Sequence, residues 1–378
     1  MGRLIIFDTS NFRDYPVGGQ ITSIKNFMKY IGEYYPQKVN NILLVGVSTS
    51  IEDVGKVKNI RTEAGIVSFL AVTLATKNLN SVKKSLRVEY LKGLYKYRKI
   101  IGIKKVDCLY LHTPEAFAFT HIIAKKSPCF VFSHGSFLNM LEHVRFYRNS
   151  NLVLYIFRKI LLSIIKNSTG VFVLDRDTEQ KYRIYSNNIF HVGNSIVCNP
   201  KYTKHFPNVK CPKLIFVGRL SSVKNIKPIV EAVKNYSPDC HLEIVGAGEL
   251  MDELKNISNQ QITFTGAIAP EEVKNHMKKA DILIMNSMHE GIPMTILEAM
   301  SMSLPIITTD VGGIGEVVQY SIDAEKTDGT PESIITAIKK IMSNYNEYSK
   351  NAYNRSKQFD YRKVNKKIFE QLNLYLKW

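Results

Sequence analysis

The sequence predicts two doubly wound α/β domains in tandem. Three observations carry this. Short β-branched apolar runs alternate with longer amphipathic ones along the chain, the pattern of strands and helices around a parallel sheet. The alternation starts afresh near Lys213. The chain has 378 residues, 45% of them hydrophobic, enough to fill two cores of ordinary size.

In the first half, Arg3–Asp8, Asn41–Val47, Ile66–Val72, Asp107–His112, Cys129–Ser133, Gly170–Leu174 and Ile189–Val192 have the length and residue types of strands. Helices are expected between them at Gly19–Tyr35, Val82–Ile101, Pro114–Lys125, Phe137–Lys166 and Thr178–Tyr185. The second set of strands is Lys213–Val217, His241–Val245, Ile262–Thr265, Asp281–Met285 and Pro305–Thr308. Between the sets, Ile196–Pro212 holds three prolines and little periodicity, which places the boundary there: residues 1–196, then 197–360. The closing run Tyr361–Trp378 carries Val364, Ile368, Leu372 and Tyr375 at helical spacing.

Composition narrows the class. The longest apolar run, Leu152–Ile165, is interrupted by Arg158-Lys159 and falls short of the roughly 20 residues of a membrane span. The opening apolar stretch is too short for a signal sequence and reads as a strand. Five cysteines without C-x-x-C spacing read as buried thiols of a reducing, cytoplasmic compartment. The net charge is +18 and uneven. Residues 1–196 hold 28 Lys and Arg against 13 Asp and Glu, a net +15, and the remainder hold 23 against 20, a net +3. A basic half calls for an anionic partner. The run Lys83–Lys105 and the helix Phe137–Lys166 interleave cations with Tyr, Leu and Ile, a composition suited to an anionic membrane surface, although a solvated face of a soluble domain has it too.

The most informative stretch is Ala280–Val318. Apolar runs Ile282–Met285 and Pro305–Thr308 flank a polar turn, Asn286–Pro293, and a helical run, Met294–Met302, giving a βαβ unit. Gly291 and Pro293 precede the helix, whose free N–H groups make an anion site. Glu290 and Glu298 offer acceptors to sugar hydroxyls. A nucleotide sugar needs both kinds of partner.

EGIPMTILE, with Ala299, Pro305, Asp310 and Gly312-Gly313 after it, resembles the nucleotide-binding segment of the family-4 retaining glycosyltransferases of GT-B fold, the glycosyl transferases group 1. The match is specific over residues 213–318; in the first half it rests on arrangement and on two loops. Ser303-Leu304 departs from the family, which usually has a small residue, often Gly, before the strand. The resemblance implies two Rossmann-like domains facing each other across a cleft, with the last helix crossing back to the first domain. It implies that Arg219 and Lys224 hold the donor diphosphate, where fixed cations meet the charge of the departing nucleotide. By the same resemblance Glu298 accepts from the ribose and Glu290 from the donor sugar, Gly291, Ile292, Pro293 and Met294 complete the phosphate cradle, and Ile268 lies against the base. Gly18 and Gly19 match the first-domain glycine loop beside the phosphates, and His134, in Ser-His-Gly at a strand end, lines the sugar side; His112, at another strand end, is a weaker candidate. Asn225 stands where the family often has glycine.

Two motifs invite other chemistry. Asp175-Arg-Asp177 has the D-x-D form of a metal site, but it lies between a strand and a helix and fits an N-cap better. Gly246-Ala-Gly248 follows a strand but lacks the third glycine of a dinucleotide fingerprint, so it is expected to shape a tight turn.

The expected activity is therefore metal-independent, retaining transfer of a sugar from a nucleotide-diphosphate sugar, UDP by default, to a hydroxyl. The acceptor is expected to be a lipid-linked glycan of a surface polysaccharide such as lipopolysaccharide or capsule. The enzyme is expected to be peripheral at the inner face of the cell membrane. No cofactor besides the donor and no nucleic acid are expected. A GT-B nucleotide-sugar 2-epimerase and a basic nucleic-acid binder are the alternatives; the first lacks the Glu-x7-Glu pattern, and no reader motif supports the second.

Overall fold

The computed structural model of the protein describes residues 2–13, 19–75, 85–135, 151–198, 212–236 and 240–377. They form two compact units, Met1–Gly193 with Tyr361–Trp378, and Asn194–Asp360.

The first unit is built on an eight-stranded sheet. Its strands are β1 (Leu4–Phe7), β2 (Ile42–Ser48), β3 (Val57–Thr62), β4 (Gly65–Leu74), β5 (Cys108–Leu111), β6 (Cys129–Ser133), β7 (Gly170–Val173) and β8 (Ile189–His191). Their order is β3-β4-β2-β1-β5-β6-β7-β8, parallel except where β3 pairs antiparallel with β4. Strand β3 escapes the sequence pattern for a physical reason. It is an edge strand with one buried side chain, Ile60, and so carries no apolar run. The expected helix Val82–Ile101 is two pieces, Leu86–Lys96 and Arg98–Ile101, ended by Gly102 at φ 55°; its first residues lie outside the described ones. Of Phe137–Lys166, the helix Asn151–Asn167 is described and the part before it is not.

The core of this unit is what a parallel sheet covered on both faces requires: Ile5, Phe7, Leu109, Leu111, Val131 and Val171 from the strands, with Tyr90, Phe119 and Ile164 from helices. The last helix, Tyr361–Asn373, belongs to it. Phe369 stacks on Tyr35 with ring centroids 4.2 Å apart, and the Tyr361 hydroxyl donates to both Glu33 oxygens at 2.5 and 2.6 Å.

The second unit has six parallel strands, β9 (Lys213–Val217), β10 (His241–Val245), β11 (Ile262–Gly266), β12 (Ile282–Met285), β13 (Ile306–Thr308) and β14 (Ala324–Lys326). Their order is β11-β10-β9-β12-β13-β14, the doubly wound order of a nucleotide-binding fold. The three residues of β14 are too few to show in the sequence. The unit begins at Asn194, whose Nδ2 donates to the Ile292 carbonyl at 2.7 Å, while the Ile196 amide donates to Phe359 at 2.9 Å. Ser303 occupies the left-handed region at φ 62°, where the related family often uses glycine.

Strand direction fixes where chemistry sits. In each sheet the chain leaves its first strand to one side and returns on the other. The crevice at the carboxyl ends of those strands is the ligand site of open α/β sheets. In the first unit it lies between β1 and β5, and in the second between β9 and β12.

Candidate active site

In the second unit the loops after β9 and β12 meet at this crevice. The first loop runs Gly218–Asn225 and carries Arg219 and Lys224. Lys224 ends a short 3-10 turn, Ser222–Lys224, and Asn225 follows in the left-handed region at φ 46°, a conformation that asparagine tolerates nearly as glycine does. The second loop carries Glu290. Lys224 Nζ forms an ion pair with Glu290 Oε1, their side chains 22% and 12% exposed. The sequence treats these two residues as separate ligands; the structure joins them across the switch point. Arg219 is exposed, and its guanidinium has no ion pair among the described residues.

Three further bonds tie the loops to each other and to Gly329. The Met288 amide donates to the Val223 carbonyl at 2.8 Å. Asn286, fully buried, donates from Nδ2 to the carbonyls of Asn225 and Gly329, both at 3.1 Å. No sequence signal singles out Asn286, because a lone asparagine after a strand is an ordinary turn residue.

Glycines set the spacing of these loops. A Cβ on Gly246 would lie 1.9 Å from the Gly218 carbonyl oxygen, and one on Gly312 1.8 Å from that of Glu290. The Gly-x-Gly after β10 thus buttresses the Arg219 loop. Gly312, with the Gly313 amide bonded to the Gly291 carbonyl at 3.0 Å, buttresses the Glu290 loop.

The helix Met294–Ser301 starts at this point, with Pro293 in the N-cap position and no side-chain cap. Its first amides lack intrahelical acceptors, as at every helix start, and Gly291 before them is exposed. Ile292 is buried. Glu298 lies just past the first turn, half-buried. Burial pushes its carboxyl above the ordinary value, opposed by the charge of Lys274. Ile268 is half-exposed beyond β11, two strands from β9.

Asp175 is the N-cap of the helix Arg176–Arg183, accepting from the Thr178 amide at 2.7 Å, and Asp177 pairs with Lys181 at 2.6 Å. Both carboxylates are committed locally.

In the first unit the crevice holds Asp8 after β1, Gln20 in the first turn of the helix Gly19–Tyr34, His112 after β5 and His134 after β6. Gly18 lies outside the described residues; Gly19 opens the helix. Gln20 Nε2 donates to Asp8 Oδ1 at 2.6 Å and to the His112 carbonyl at 3.0 Å, so it ties three elements together. The His112 and His134 rings are in hydrogen-bond contact, Nδ1 to Nε2, at 2.8 Å. Sequence reasoning gives no role to Asp8, which ends the first expected strand, or to Gln20, which closes the glycine loop Val17-Gly18-Gly19-Gln20.

Burial raises the Asp8 carboxyl to about 6 from 3.8, resisted by bonds from Ser10, Thr9 and Gln20 and by the Arg87 charge. A raised acid favours folding below its unfolded pKa and loses that contribution as pH rises through the folded one. The shift of about 2 units corresponds to about 3 kcal/mol between pH 4 and pH 7. Asp8→Asn should therefore gain stability over the wild type on going from pH 4.5 to 7.5, by that order. Denaturant titrations at both pH values would show it, and a constant difference between the two proteins would refute it.

With this geometry in place, the comparisons with known proteins are direct. The model of the family Glycosyl transferases group 1 matches residues 201–359. An uncharacterized glycosyltransferase of Methanocaldococcus jannaschii is 24% identical over 321 residues, 78% of this chain and 84% of that protein. The O-antigen biosynthesis glycosyltransferase WbnH of Escherichia coli is 30% identical over 179 residues, 45% of this chain and 48% of its own length. The Escherichia coli UDP-Gal:alpha-D-GlcNAc-diphosphoundecaprenol alpha-1,3-galactosyltransferase is 31% identical over 151 residues, 37% and 39% of the two chains. The matches to both Escherichia coli proteins thus span less than half of those relatives. The crystal structure of Anabaena HepE in complex with UDP-glucose superposes with a TM-score of 0.69 at 16% identity, over 98% of this chain and 99% of that one. The fold is GT-B, and the sequence matches are to glycosyltransferases. The match to the family Glycosyl transferases group 1 falls within the second unit.

Proposed function

We propose that this protein transfers a sugar from a UDP-sugar to a hydroxyl of a lipid-linked glycan in surface polysaccharide biosynthesis, with retention of configuration and without a metal. One observation carries the donor half: the Lys224–Glu290 pair at the switch point, beside a helix start and Arg219, which has no ion pair among the described residues. Cations meet the charge of the leaving diphosphate, and carboxylates meet hydroxyls. Glu298 is assigned to the ribose, Glu290 to the donor sugar, and the Gly291–Met294 segment to the phosphates. Ile268 is assigned to the base, Gly18 and Gly19 to the donor phosphates, and His134 to the sugar side. Retention proceeds on one face, the donor phosphate assisting departure of the acceptor proton. UDP is favoured because UDP-Gal and UDP-glucose stand in the names of one relative and one structural neighbour. A lipid-linked acceptor is favoured by the first of these and by the charge of the basic half.

The test is incubation with a panel of nucleotide sugars and a lipid-linked oligosaccharide acceptor, with and without EDTA. Transfer with retained anomeric configuration, unaffected by EDTA, supports the proposal. Epimerised donor in the absence of acceptor would replace it with the epimerase. Loss of activity in EDTA, restored by Mg²⁺ or Mn²⁺, would return Asp175 and Asp177 to consideration.

The membrane part makes its own prediction. Lys96, Arg98, Lys99, Lys104 and Lys105 are exposed, and among them stand exposed Ile100 and Val106. No helix among the described residues is long and apolar enough to cross a membrane. Each cation near an anionic surface contributes on the order of 1 kcal/mol, screened by salt. The protein should co-sediment with anionic vesicles, hardly with zwitterionic ones, and come off at high salt. Replacing those five residues by Gln should weaken binding and leave donor affinity unchanged. Recovery in the supernatant with both vesicle types would refute surface binding.

A further inference from the structure

The hydrogen bond between His112 and His134 has a direction that decides what His134 does. His112 is 5% exposed, and its second ring nitrogen, Nε2, is buried with no hydrogen-bond partner among the described residues. Tyr110 meets the ring edge-on with centroids 4.4 Å apart, and Phe132 stacks on it at 5.5 Å. Phe132 also packs on His134 at 4.6 Å. Burial lowers the His134 pKa to about 3 and holds His112 well below its ordinary value, so both rings are neutral at neutral pH.

Each neutral ring carries one proton, and the 2.8 Å contact between His112 Nδ1 and His134 Nε2 admits two arrangements. In the first, His112 Nδ1–H donates to a bare His134 Nε2. His112 Nε2 is then a lone pair, and His134 carries its proton on Nδ1. In the second, His134 Nε2–H donates to His112, whose own proton must sit on the buried Nε2 with no acceptor among the described residues. Every other arrangement sets two N–H groups or two lone pairs against each other. An orphaned buried N–H is rarer than an acceptor left under-satisfied, so the first arrangement is preferred.

We infer that His112 is a positioning residue that occupies the Nε2 lone pair of His134 and holds that ring in its Nδ1–H form. His134 is thereby a hydrogen-bond donor to an oxygen of the transferred sugar or its phosphate, and not a general base. The direction of the ligand's bond rests on the sugar-side role proposed for His134; the direction of the bond between the rings does not. The arrangement agrees with a one-face reaction in which the acceptor proton leaves through the donor phosphate, since a ring in this form has no free lone pair to take it.

The chain has nine histidines. Protein labelled with ¹⁵N in all of them, with the His134 signals assigned as those lost in His134→Gln, reports the tautomer directly. At pH 7 the wild type should show His134 protonated at Nδ1, with Nε2 of the bare, pyridine type. His112→Asn places an amide N–H near the lost Nδ1 and should keep that form. His112→Phe keeps an aromatic ring without a donor and should release His134 into a mixture of tautomers, with transfer lowered at least tenfold. Signals of the histidines far from the pair, left in place, would show that each variant is folded. A wild-type His134 protonated at Nε2 would overturn the inference whether or not any variant folds, and so would an unchanged tautomer in His112→Phe. If the tautomer is as expected but His134→Gln transfers sugar within twofold of the wild type, the sugar-side role fails and the pairing stands.

Discussion

Arg219→Ala should lower kcat/KM for sugar transfer by roughly a hundred- to a thousandfold, about 3 kcal/mol of transition-state stabilisation, the order of one lost donor to a developing anion. Its guanidinium is exposed and engages no carboxylate among the described residues, so folding should be unaffected. Lys224→Ala should cost a similar factor and differ in a second readout. Removing the ammonium leaves Glu290, 12% exposed at its side chain, without its partner. Some loss of stability should therefore accompany the loss of rate, and Lys224→Ala combined with Glu290→Gln should recover the stability without the rate. Steady-state kinetics and thermal melts on the three variants decide the matter. Activity of both single variants within twofold of the wild type would remove the diphosphate clamp.

Gly312→Ala should be among the most destabilising single substitutions in the second unit. The residue sits at φ 59°, and an added methyl would lie 1.8 Å from the Glu290 carbonyl oxygen, a backbone atom that cannot rotate away. Left-handed strain of about 1–2 kcal/mol and overpacking of about 1–3 kcal/mol add up to a loss of around 3 kcal/mol. In a unit of this size that is a fall of about 10 °C in Tm. Gly246→Ala, with its methyl 1.9 Å from the Gly218 carbonyl at φ 142°, should behave alike. Each should also weaken donor binding, because the loop pushed aside carries Glu290 in one case and Arg219 in the other. A melting temperature within 2 °C of the wild type for both would show that the loops give way easily.

These two glycines show how far the sequence reaches. Gly246-x-Gly248 is legible as a turn, because glycine after a strand has few other uses. That the turn props up the Arg219 loop is not legible, since the contact crosses from one strand connection to another. The parallel strands are legible because strands buried on both faces are apolar throughout, as in Ile282–Met285. The edge strand Val57–Thr62 is hidden because it buries one side chain. At the site, Glu290, Glu298, Arg219 and Lys224 are marked by the resemblance of their segments to the family, since the spacing of the two glutamates alone also fits a helix with solvated carboxylates. The pairing of Lys224 with Glu290, the tether of Asn286 and the Asp8–Gln20–His112 chain arise from tertiary proximity of residues 12 to 92 positions apart, which no local pattern encodes.

The central claim is that the second unit grips a nucleoside diphosphate at the β9–β12 switch point through Arg219 and Lys224. Calorimetric titration of UDP and of uridine into the wild type, Arg219→Ala and Lys224→Ala measures it most directly. The account predicts that UDP binds the wild type far more tightly than uridine does. It also predicts that each substitution removes most of that difference while leaving the weak uridine affinity in place. Equal affinity of UDP for all three proteins, or no binding of UDP to the wild type, would contradict it.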